Sequence, residues 1–384
     1  MKVLLIHNYY RSRLIGGEDV AFKRELIALR RRLGRENVIE YTVSSDQLNS
    51  TYLISNILFS FRHFFHILKE VRNNKIEIIH CHNYFPLLSF SIFLAARIAG
   101  AKTILTLHNF RLWCPSGYLY RSGKICHDCV KFRWKLPFPG IRYKCYHNSF
   151  FRSIILAMSI LIYRQHFRFV DFFITLTPFQ SNFLISNKLL PASKIRLKPN
   201  FYAPTKVGPI EYTREFDLIF IGKLETQKGV EELVNVFKSQ LYNKKLLMIG
   251  NGPLLAEIQA KKTENITLLD SVDPSQIPTY IARSLYLIQP SLWYETFGLT
   301  IIEAMSIGVP VLGYPIGTRL DLIENGKNGF FLNREDLGTS ILQCLNVGEK
   351  EYNELQENSK SFAERFKEER VIEKQINLYA EIVK

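Results

Sequence analysis

The sequence predicts an α/β protein made of two doubly wound, parallel-sheet domains that face a cleft. Its 384 residues exceed what one hydrophobic core usually organises, so the length favours two domains. Short apolar, β-branched runs alternate with helical patterns along most of the chain, which is typical of parallel sheets covered on both faces. The alternation stops at residues 198–209, KPNFYAPTKVGP, whose prolines predict the interdomain linker.

We expect the domains at residues 1–200 and 201–365, and a charged C-terminal helix at 366–384 that packs back on the first domain. The predicted strands of the first domain are KVLLIH, NVIEYT, IEIIHCH, KTILTLH and DFFITLT. Those of the second are FDLIFIG, KLLMIG, NITLLD, LYLIQPS and VPVLGYP. At residues 111–148 the pattern gives way to Pro, Gly, Cys, aromatic and basic residues, which predict an insertion after the fourth strand.

The charge is distributed unevenly between the two halves. Residues 1–200 carry 30 Lys and Arg against 10 Asp and Glu, whereas residues 201–384 carry 20 against 25. A strongly basic half predicts contact with something anionic, such as a phospholipid surface, a pyrophosphate or nucleic acid, although a merely basic surface is the alternative.

The sequence also bears on location. The opening MKVLLIHNYY has too short an apolar run for a secretory signal and predicts a first strand instead. The apolar segment from Ser153 to Tyr163 is too short to span a bilayer and has Arg152 and Arg164 at its ends. We therefore expect a cytoplasmic protein.

In an open parallel sheet, ligands bind at the carboxyl ends of the strands, and three loops of the second domain stand there. A helix N-terminus with glycine turns and lysines would bind a diphosphate, and carboxylates would accept hydrogen bonds from the hydroxyl pairs of a sugar and a ribose. The loops are GKLETQKG with Gly222, Lys223 and Lys228; GNGP with Gly250, Asn251 and Gly252; and LWYETFGLTIIE with Glu295, Thr296, Phe297, Gly298, Leu299 and Glu303.

In this order and spacing, these motifs resemble the C-terminal domain of the retaining glycosyltransferases of family 4, the group 1 glycosyltransferases. That family has two Rossmann-like domains facing a cleft, the GT-B fold. The resemblance implies that Glu295 contacts the donor sugar and Glu303 the ribose, while Lys228 and Lys223 stabilise the departing diphosphate. Most relatives have arginine at the latter position, and Lys223 keeps the charge without the bidentate fork.

The first domain carries matching motifs. Gly16 and Gly17 follow the first strand and open a helix, where family members bring backbone against the donor phosphates. IEIIHCHN resembles the family's acidic-x-x-His-x-His strand end, with Glu77 where aspartate is usual. His108, at the end of the fourth strand, matches the family histidine near the anomeric carbon. It is therefore a candidate catalytic residue.

The resemblance implies transfer of a sugar from a nucleotide-sugar, UDP- or GDP-linked, with retention of anomeric configuration. No Asp-x-Asp occurs in the sequence, so we expect no catalytic metal and no cofactor for the reaction. Two alternatives remain: a nucleotide-sugar 2-epimerase on the same fold, and a non-catalytic nucleotide-sugar-binding partner. The motif around Glu295 argues against the first, and the complete set of site residues argues against the second.

The insertion suggests a metal and a surface. Basic and aromatic residues alternate there and in the helix predicted from Asn56, which suits an anionic membrane face or single-stranded nucleic acid. The glycosyltransferase resemblance favours the membrane and a polyprenyl-diphosphate-linked saccharide acceptor, in surface polysaccharide biosynthesis such as capsule or lipopolysaccharide. Nucleic acid would leave the second domain's motifs unexplained. Four cysteines predict either a structural zinc site or reduced thiols, and they are Cys114, Cys126, Cys129 and Cys145.

Overall fold

The computed structural model describes residues 1–9, 16–44, 56–132, 135–202, 214–270 and 272–384. Two parts of the sequence discussed above lie outside these ranges. They are the predicted linker from residue 203 onwards, and Arg133 and Trp134 among the basic and aromatic residues of the insertion. The chain forms two compact units. The first comprises Met1–Arg121, Cys126–Asn200 and Glu368–Lys384, and the second comprises Ser122–Ile125 and Phe201–Lys367.

The first unit is built on a six-stranded sheet of order β2-β1-β3-β4-β7-β8, in which every pair is parallel. The side chains of β1 are buried along nearly its whole length, as expected of a strand covered on both faces. The strands of the sheet are β1 Val3–Tyr9, β2 Val38–Ser44, β3 Ile78–Asn83, β4 Lys102–Thr106, β7 Phe172–Thr175 and β8 Ile195–Leu197.

Helices connect these strands. The first begins where Asp19 Oδ2 accepts a 3.0 Å hydrogen bond from the Gly16 amide. Acidic residues occupy its first turn and arginines its last, which suits the helix dipole. The helices are α1 Gly17–Leu33, α2 Phe61–Asn74, α3 Ser91–Ile98, α4 Phe138–Arg142, α5 Phe150–Gln165 and α6 Pro178–Ser186.

The insertion after β4 has little regular structure in the residues described. It contains two two-residue strands, β5 Tyr120–Arg121 and β6 Lys124–Ile125, and the five-residue helix α4. The helix that follows, α5, buries Leu156 and Ile160 and exposes Phe151. Within the described ranges, every helix is too short or too polar to span a bilayer.

The second unit repeats the plan with a six-stranded parallel sheet of order β11-β10-β9-β12-β13-β14. The predicted strands all form, and two three-residue strands that the sequence did not predict, β8 and β14, extend the two sheets. The strands are β9 Phe216–Ile221, β10 Leu246–Ile249, β11 Ile266–Leu269, β12 Ser284–Gln289, β13 Val311–Gly313 and β14 Gly329–Phe331.

The helices of the second unit follow its strands, and a last helix returns to the first unit. That helix, α14, places Gln375 and Tyr379 against β3, where the Tyr379 hydroxyl lies 2.5 Å from His80 Nδ1. The helices are α7 Val230–Ser239, α8 Leu255–Lys261, α9 Ile277–Ala282, α10 Leu299–Ile307, α11 Arg319–Leu322, α12 Leu337–Leu345, α13 Glu349–Ala363 and α14 Glu368–Val383.

Candidate functional site

In the first unit, His108 lies just beyond the end of β4 and forms a hydrogen bond with a second histidine, His82. Its Nε2 is 2.9 Å from His82 Nδ1, and the two rings stack with centroids 5.1 Å apart. His82 Nε2 in turn lies 3.1 Å from a carboxylate oxygen of Glu25 on α1. The three side chains therefore form a continuous hydrogen-bonded series from α1 through β3 to the end of β4.

Glu25 is a buried carboxylate whose charge is compensated. It forms an ion pair with Lys198, which is equally buried, and it accepts a hydrogen bond from Gln375. Burial raises the pKa of the Glu25 carboxyl, but the charge of Lys198, together with a hydrogen bond from His80, outweighs burial and holds the pKa well below its usual range. Glu25 is therefore ionised and can only accept hydrogen bonds.

This charge state determines the histidine tautomers. Burial lowers the pKa of His82 to about 3, despite the attraction of Glu25, so its ring is neutral at pH 7. Because Glu25 accepts, His82 donates from Nε2 and its Nδ1 is an acceptor. Burial and the neighbouring His82 also hold the pKa of His108 well below its usual value. His108 is therefore neutral and donates from Nε2 to His82.

The turn before α1, which contains Gly16 and Gly17, is stabilised by two acidic residues of the helix. Asp19 accepts a hydrogen bond from the Gly16 backbone amide and lies 2.7 Å from His7 Nε2, two residues before the end of β1. Glu18 accepts a 2.7 Å hydrogen bond from the Asn83 amide at the end of β3. The structure thus places Gly16 and the first turn of α1 beside the carboxyl ends of β1 and β3.

In the second unit, two glycine loops meet backbone to backbone after β9 and β10. A Cβ on Gly250 would stand 1.9 Å from the Gly222 carbonyl oxygen, and one on Gly252 would stand 2.5 Å from the Leu224 carbonyl oxygen. The amide of Leu224 donates to the Asn251 carbonyl at 3.0 Å. Only glycine permits this approach, so the loops form one surface of peptide groups at the edge of the sheet.

Lys228 stands on the same edge, beside a third loop. The next residue, Gly229, has a φ of +71°, and a Cβ there would meet the Pro290 carbonyl oxygen at 2.1 Å. This contact places Lys228 against the segment that follows β12. Its Nζ donates a 2.8 Å hydrogen bond to Glu295 Oε1. Lys223 is half-buried in the same glycine loop.

Two side chains, Ser291 and Lys228, donate hydrogen bonds to Glu295. The Ser291 hydroxyl donates to the same oxygen at 2.5 Å, and Lys228 completes the ion pair. Burial raises the pKa of Glu295, but Lys228 and the nearby Arg319 lower it further than burial raises it, so the carboxylate is ionised. Arg319 is fully buried and donates a 2.6 Å hydrogen bond to the Ser291 carbonyl. It therefore orients the loop that carries Glu295.

The other predicted donor-binding residues lie around the start of α10. Gly298 caps the helix with a φ of +137°, and Leu299 is its first residue. Glu303 lies within the helix and is half-buried. The ring of Phe297 packs at 5.8 Å from Phe366, so it belongs to the hydrophobic core of this unit. The N-terminus of α10 and the two lysines together form a positively charged edge.

The sequence did not indicate Glu25, Lys198 or Arg319. Lys198 was assigned to the linker, but it follows β8 directly and pairs with Glu25 in the interior. Arg319 lies in a four-residue helix that periodicity does not reveal. One feature of the sequence could have identified Lys198 as a functional residue. A lysine or arginine that directly follows an apolar run lies at the carboxyl edge of a predicted parallel sheet.

Two family descriptions match this chain, one over each half. Residues 25–206 match "Glycosyltransferase Family 4", and residues 206–362 match "Glycosyl transferases group 1". The two matches meet at residue 206 and together span residues 25–362. The resemblance inferred from the motifs is thereby confirmed.

Among curated relatives, a Klebsiella pneumoniae protein described as "Uncharacterized 41.2 kDa protein in cps region" is 24% identical over 327 residues, covering 82% of this chain and 81% of that protein. The N-acetyl-alpha-D-glucosaminyl L-malate synthase of Bacillus anthracis is 26% identical over 44% of this chain and 46% of its own length. The chain thus spans most of the first relative and less than half of the second.

Two solved structures resemble the whole chain. The sucrose-phosphate synthase of Thermosynechococcus elongatus superposes with a TM-score of 0.73 at 14% identity, covering 100% of this chain and 99% of that one. Anabaena Alr3699/HepE in complex with UDP-glucose gives a TM-score of 0.68 at 15% identity, with 99% and 100% covered. At such identities the likeness shows the fold alone, which is the predicted GT-B type.

Proposed function

Because the chain belongs to the family 4, group 1 glycosyltransferases, we propose that it transfers a sugar from a nucleotide-sugar to a saccharide acceptor with retention of anomeric configuration. The observation that carries this proposal is the ion pair between the ionised Glu295 and Lys228, just before the N-terminus of α10. A carboxylate suited to sugar hydroxyls stands there beside a cation and a helix N-terminus suited to a diphosphate. The glycine loops after β9 and β10 supply close backbone approach.

The second unit would bind the donor. Lys228 and Lys223 would compensate the negative charge that grows on the diphosphate as the bond to the sugar breaks, which is the main electrostatic demand of this reaction. Glu295 would then exchange its lysine partner for donor hydroxyls, and Glu303 would hold the ribose. The lysines and the helix supply the positive charge, so we propose that catalysis requires no divalent metal or other cofactor.

The first unit would contribute His108, Gly16 and Gly17. A neutral imidazole that donates from Nε2 to His82 is acceptor-competent at Nδ1, which suits a hydroxyl of the donor sugar. It does not place a positive charge near the oxocarbenium-like centre that forms during transfer. This charge state agrees with a binding and orienting role for His108.

The donor proposal is tested by thermal shift of the purified chain with UDP, GDP, ADP and their sugar conjugates. We expect a nucleoside diphosphate to raise the melting temperature, since a ligand at a hundred times its Kd adds about 2.7 kcal/mol to stability. The UDP and UDP-glucose complexes of the Anabaena structures favour UDP. A chain that none of these compounds stabilises would contradict the donor site.

Product analysis separates the alternatives. A transferase that is given the nucleotide-sugar found by thermal shift and a lipid-linked saccharide should release nucleoside diphosphate and form an equal amount of lengthened saccharide. The new linkage should have the same anomeric configuration, α or β, as the donor sugar. A 2-epimerase would change the donor sugar without an acceptor, and a non-catalytic partner would bind and do neither. The position of the Klebsiella relative in a cps region supports capsule or lipopolysaccharide saccharides as the acceptors to try first.

We further propose that the first unit binds the inner face of the cell membrane, where a polyprenyl-diphosphate-linked acceptor would reside. Helix α2 exposes Phe61 and Phe65, 68% and 61% accessible, together with Arg62, Lys69 and Arg72. Exposed rings beside cations at helical spacing suit an interface of anionic headgroups and acyl chains. The protein would then be cytoplasmic and peripheral to the membrane.

Binding to vesicles with anionic lipid should fall several-fold when salt is raised from 0.1 to 1 M, because exposed charges are screened over a shorter distance. Replacing Phe61 and Phe65 with serine should weaken binding at both salt concentrations. Tyr242→Ser, at an exposed ring of the second unit, is the matched control and should leave binding unchanged. Salt-independent binding, or equal loss in the control, would argue against this surface.

A further inference from the structure

We propose, building on the proposed transferase function, that Arg319 is a positioning residue of the donor site. It would act as a fixed cation that keeps the Glu295 carboxylate charged and in place when Lys228 leaves it for the donor diphosphate. The two cations beside Glu295 would then have different tasks. Lys228 would move to the donor, and Arg319 would stay.

The guanidinium of Arg319 is held in place by backbone carbonyls. Its Nε donates to the Tyr314 carbonyl at 2.9 Å, and its Nη2 donates to the carbonyls of Ser291 at 2.6 Å and Trp293 at 3.4 Å. The residue is fully buried. A Cβ on Gly313 would stand 2.9 Å from Arg319 Cδ, so the glycine leaves room for the side chain. Arg319 can leave this position only by breaking these bonds, which makes it a permanent part of the site.

Two of these bonds connect Arg319 with Glu295. The Ser291 hydroxyl donates to Glu295 Oε1 at 2.5 Å, while the carbonyl of the same serine accepts from Arg319. A single residue therefore separates the guanidinium from the carboxylate. Trp293 lies between Ser291 and Glu295 in the chain, and its carbonyl accepts from the same nitrogen, Nη2. The backbone that carries Glu295 is thus bound to Arg319 at two points.

Glu295 is the carboxylate whose charge acts on Arg319. In the described part of the chain, the acceptors bonded to Arg319 are neutral carbonyl oxygens. Burial lowers the pKa of Arg319, and the negative charge of Glu295 opposes this effect. The other titratable neighbour, Tyr314, is uncharged at pH 7 because burial raises its pKa. Glu232, which accepts a hydrogen bond from Tyr314, forms its ion pair with Arg334 instead.

One nitrogen of Arg319 has unused capacity to donate. Nη1 is buried, and within the ranges that the structure describes it has no hydrogen-bond acceptor. Buried polar atoms in folded proteins almost always have a partner, so an exception calls for an explanation. A site whose carboxylate changes partners during the reaction supplies one. The Nη1 hydrogens would be available to Glu295 once its bond with Lys228 is broken.

Lys228 is attached more loosely than Arg319. Its side chain is 18% exposed, and its Nζ donates to Glu295 at 2.8 Å and lies 5.5 Å from the centre of the Trp293 ring. An ammonium on a flexible stem can turn to a diphosphate by giving up its bond to Glu295. Glu295 is only 8% exposed, and a buried carboxylate without a cation tends to take up a proton. The fixed charge of Arg319 would prevent that protonation.

The test measures sugar transfer by the full-length chain as a function of pH and donor concentration. Arg319→Met should lower kcat at pH 7 by about tenfold to a hundredfold, because the carboxylate is displaced. It should also move the acid limb of kcat to higher pH by about one unit. The shift should be smaller in kcat/KM, which reports the free protein, where Lys228 still pairs with Glu295. Arg319→Lys retains the charge without the planar fork, so it should lose kcat but keep the acid limb of the parent.

Arg334→Met is the matched control. Arg334 is an arginine of the same unit that pairs with Glu232 and is 46% exposed, so kcat and its acid limb should stay as in the parent. Arg319→Met should still be stabilised in thermal shift by the nucleoside diphosphate that stabilises the parent, because Lys228 and Lys223 remain. This binding also shows that the variant is folded.

Arg319→Gln replaces Arg319→Met if the latter does not fold, because the glutamine amide can still donate to the carbonyls of Ser291 and Tyr314. A neutral variant whose acid limb does not move, or an equal shift in Arg319→Lys, would overturn the role of Arg319 while leaving the transferase intact. A parent chain that binds no nucleoside diphosphate and transfers no sugar would instead contradict the proposed function itself.

Discussion

Replacing Lys228 with alanine is expected to lower kcat by about a hundredfold to a thousandfold, the usual cost of removing one group that stabilises charge in a transition state. In the free protein, Lys228 Nζ bonds Glu295 Oε1 at 2.8 Å. The side chains of Lys228 and Glu295 are 18% and 11% exposed, and the Ser291 hydroxyl still donates to the carboxylate once the lysine is removed. The protein should therefore remain folded while losing turnover.

Companion variants separate charge from shape. Glu295→Gln keeps the volume and removes the carboxylate, so we expect a loss of similar size with little change in thermal stability. Lys238→Ala, at an exposed lysine on α7, removes the same charge from the same unit and should leave kcat unaltered. Steady-state sugar transfer measured at saturating donor decides the matter. Normal transfer by Lys228→Ala would exclude the assigned diphosphate site.

Much of the second unit could be predicted because its signals are local. Each predicted apolar run forms a strand. The glycines of the loops after β9 and β10 lie where the backbones of these two loops approach each other closely. Glu295 was predicted through its sequence context, a few residues before a helix N-terminus. The local sequence could not reveal the role of Arg319. That role depends on a hydrogen bond to the Ser291 carbonyl, which lies 28 residues earlier in the chain.

The interior of the first unit was harder to predict for the same reason. Glu25 looked like one more acidic residue on an amphipathic helix, and Lys198 like part of a linker. Their pairing joins residues 173 apart, and Gln375 reaches Glu25 across 350. Periodicity reports which face of an element is apolar, but it does not report which distant charge will neutralise a buried carboxylate. The three-residue strands β8 and β14 were not predicted, because a run of three residues is too short to show a periodic pattern.

Lys198→Met is expected to destabilise the first unit by about 3–5 kcal/mol, because it leaves the Glu25 carboxylate buried without its cation. Both side chains of the pair are about 2% exposed, so solvent cannot compensate the charge. The double variant Glu25→Leu with Lys198→Met removes both charges and should recover a large part of this loss. Chemical denaturation at pH 7, followed by far-ultraviolet circular dichroism, measures these differences in the free energy of unfolding.

The pH dependence of this loss gives a second test of the same ion pair. In the parent chain the pKa of Glu25 lies well below its usual range, so the pair stabilises the fold at pH values above the unfolded pKa and weakens only as the pH falls towards the folded one. Without Lys198, burial favours the uncharged carboxyl, and a proton taken up by Glu25 or by His80 or His82 relieves the unpaired charge. The destabilisation should therefore be smaller at pH 5 than at pH 7. Lys102→Met, at an exposed lysine of β4, should cost little at either pH, and an equal loss in it would show that the effect does not come from the buried pair.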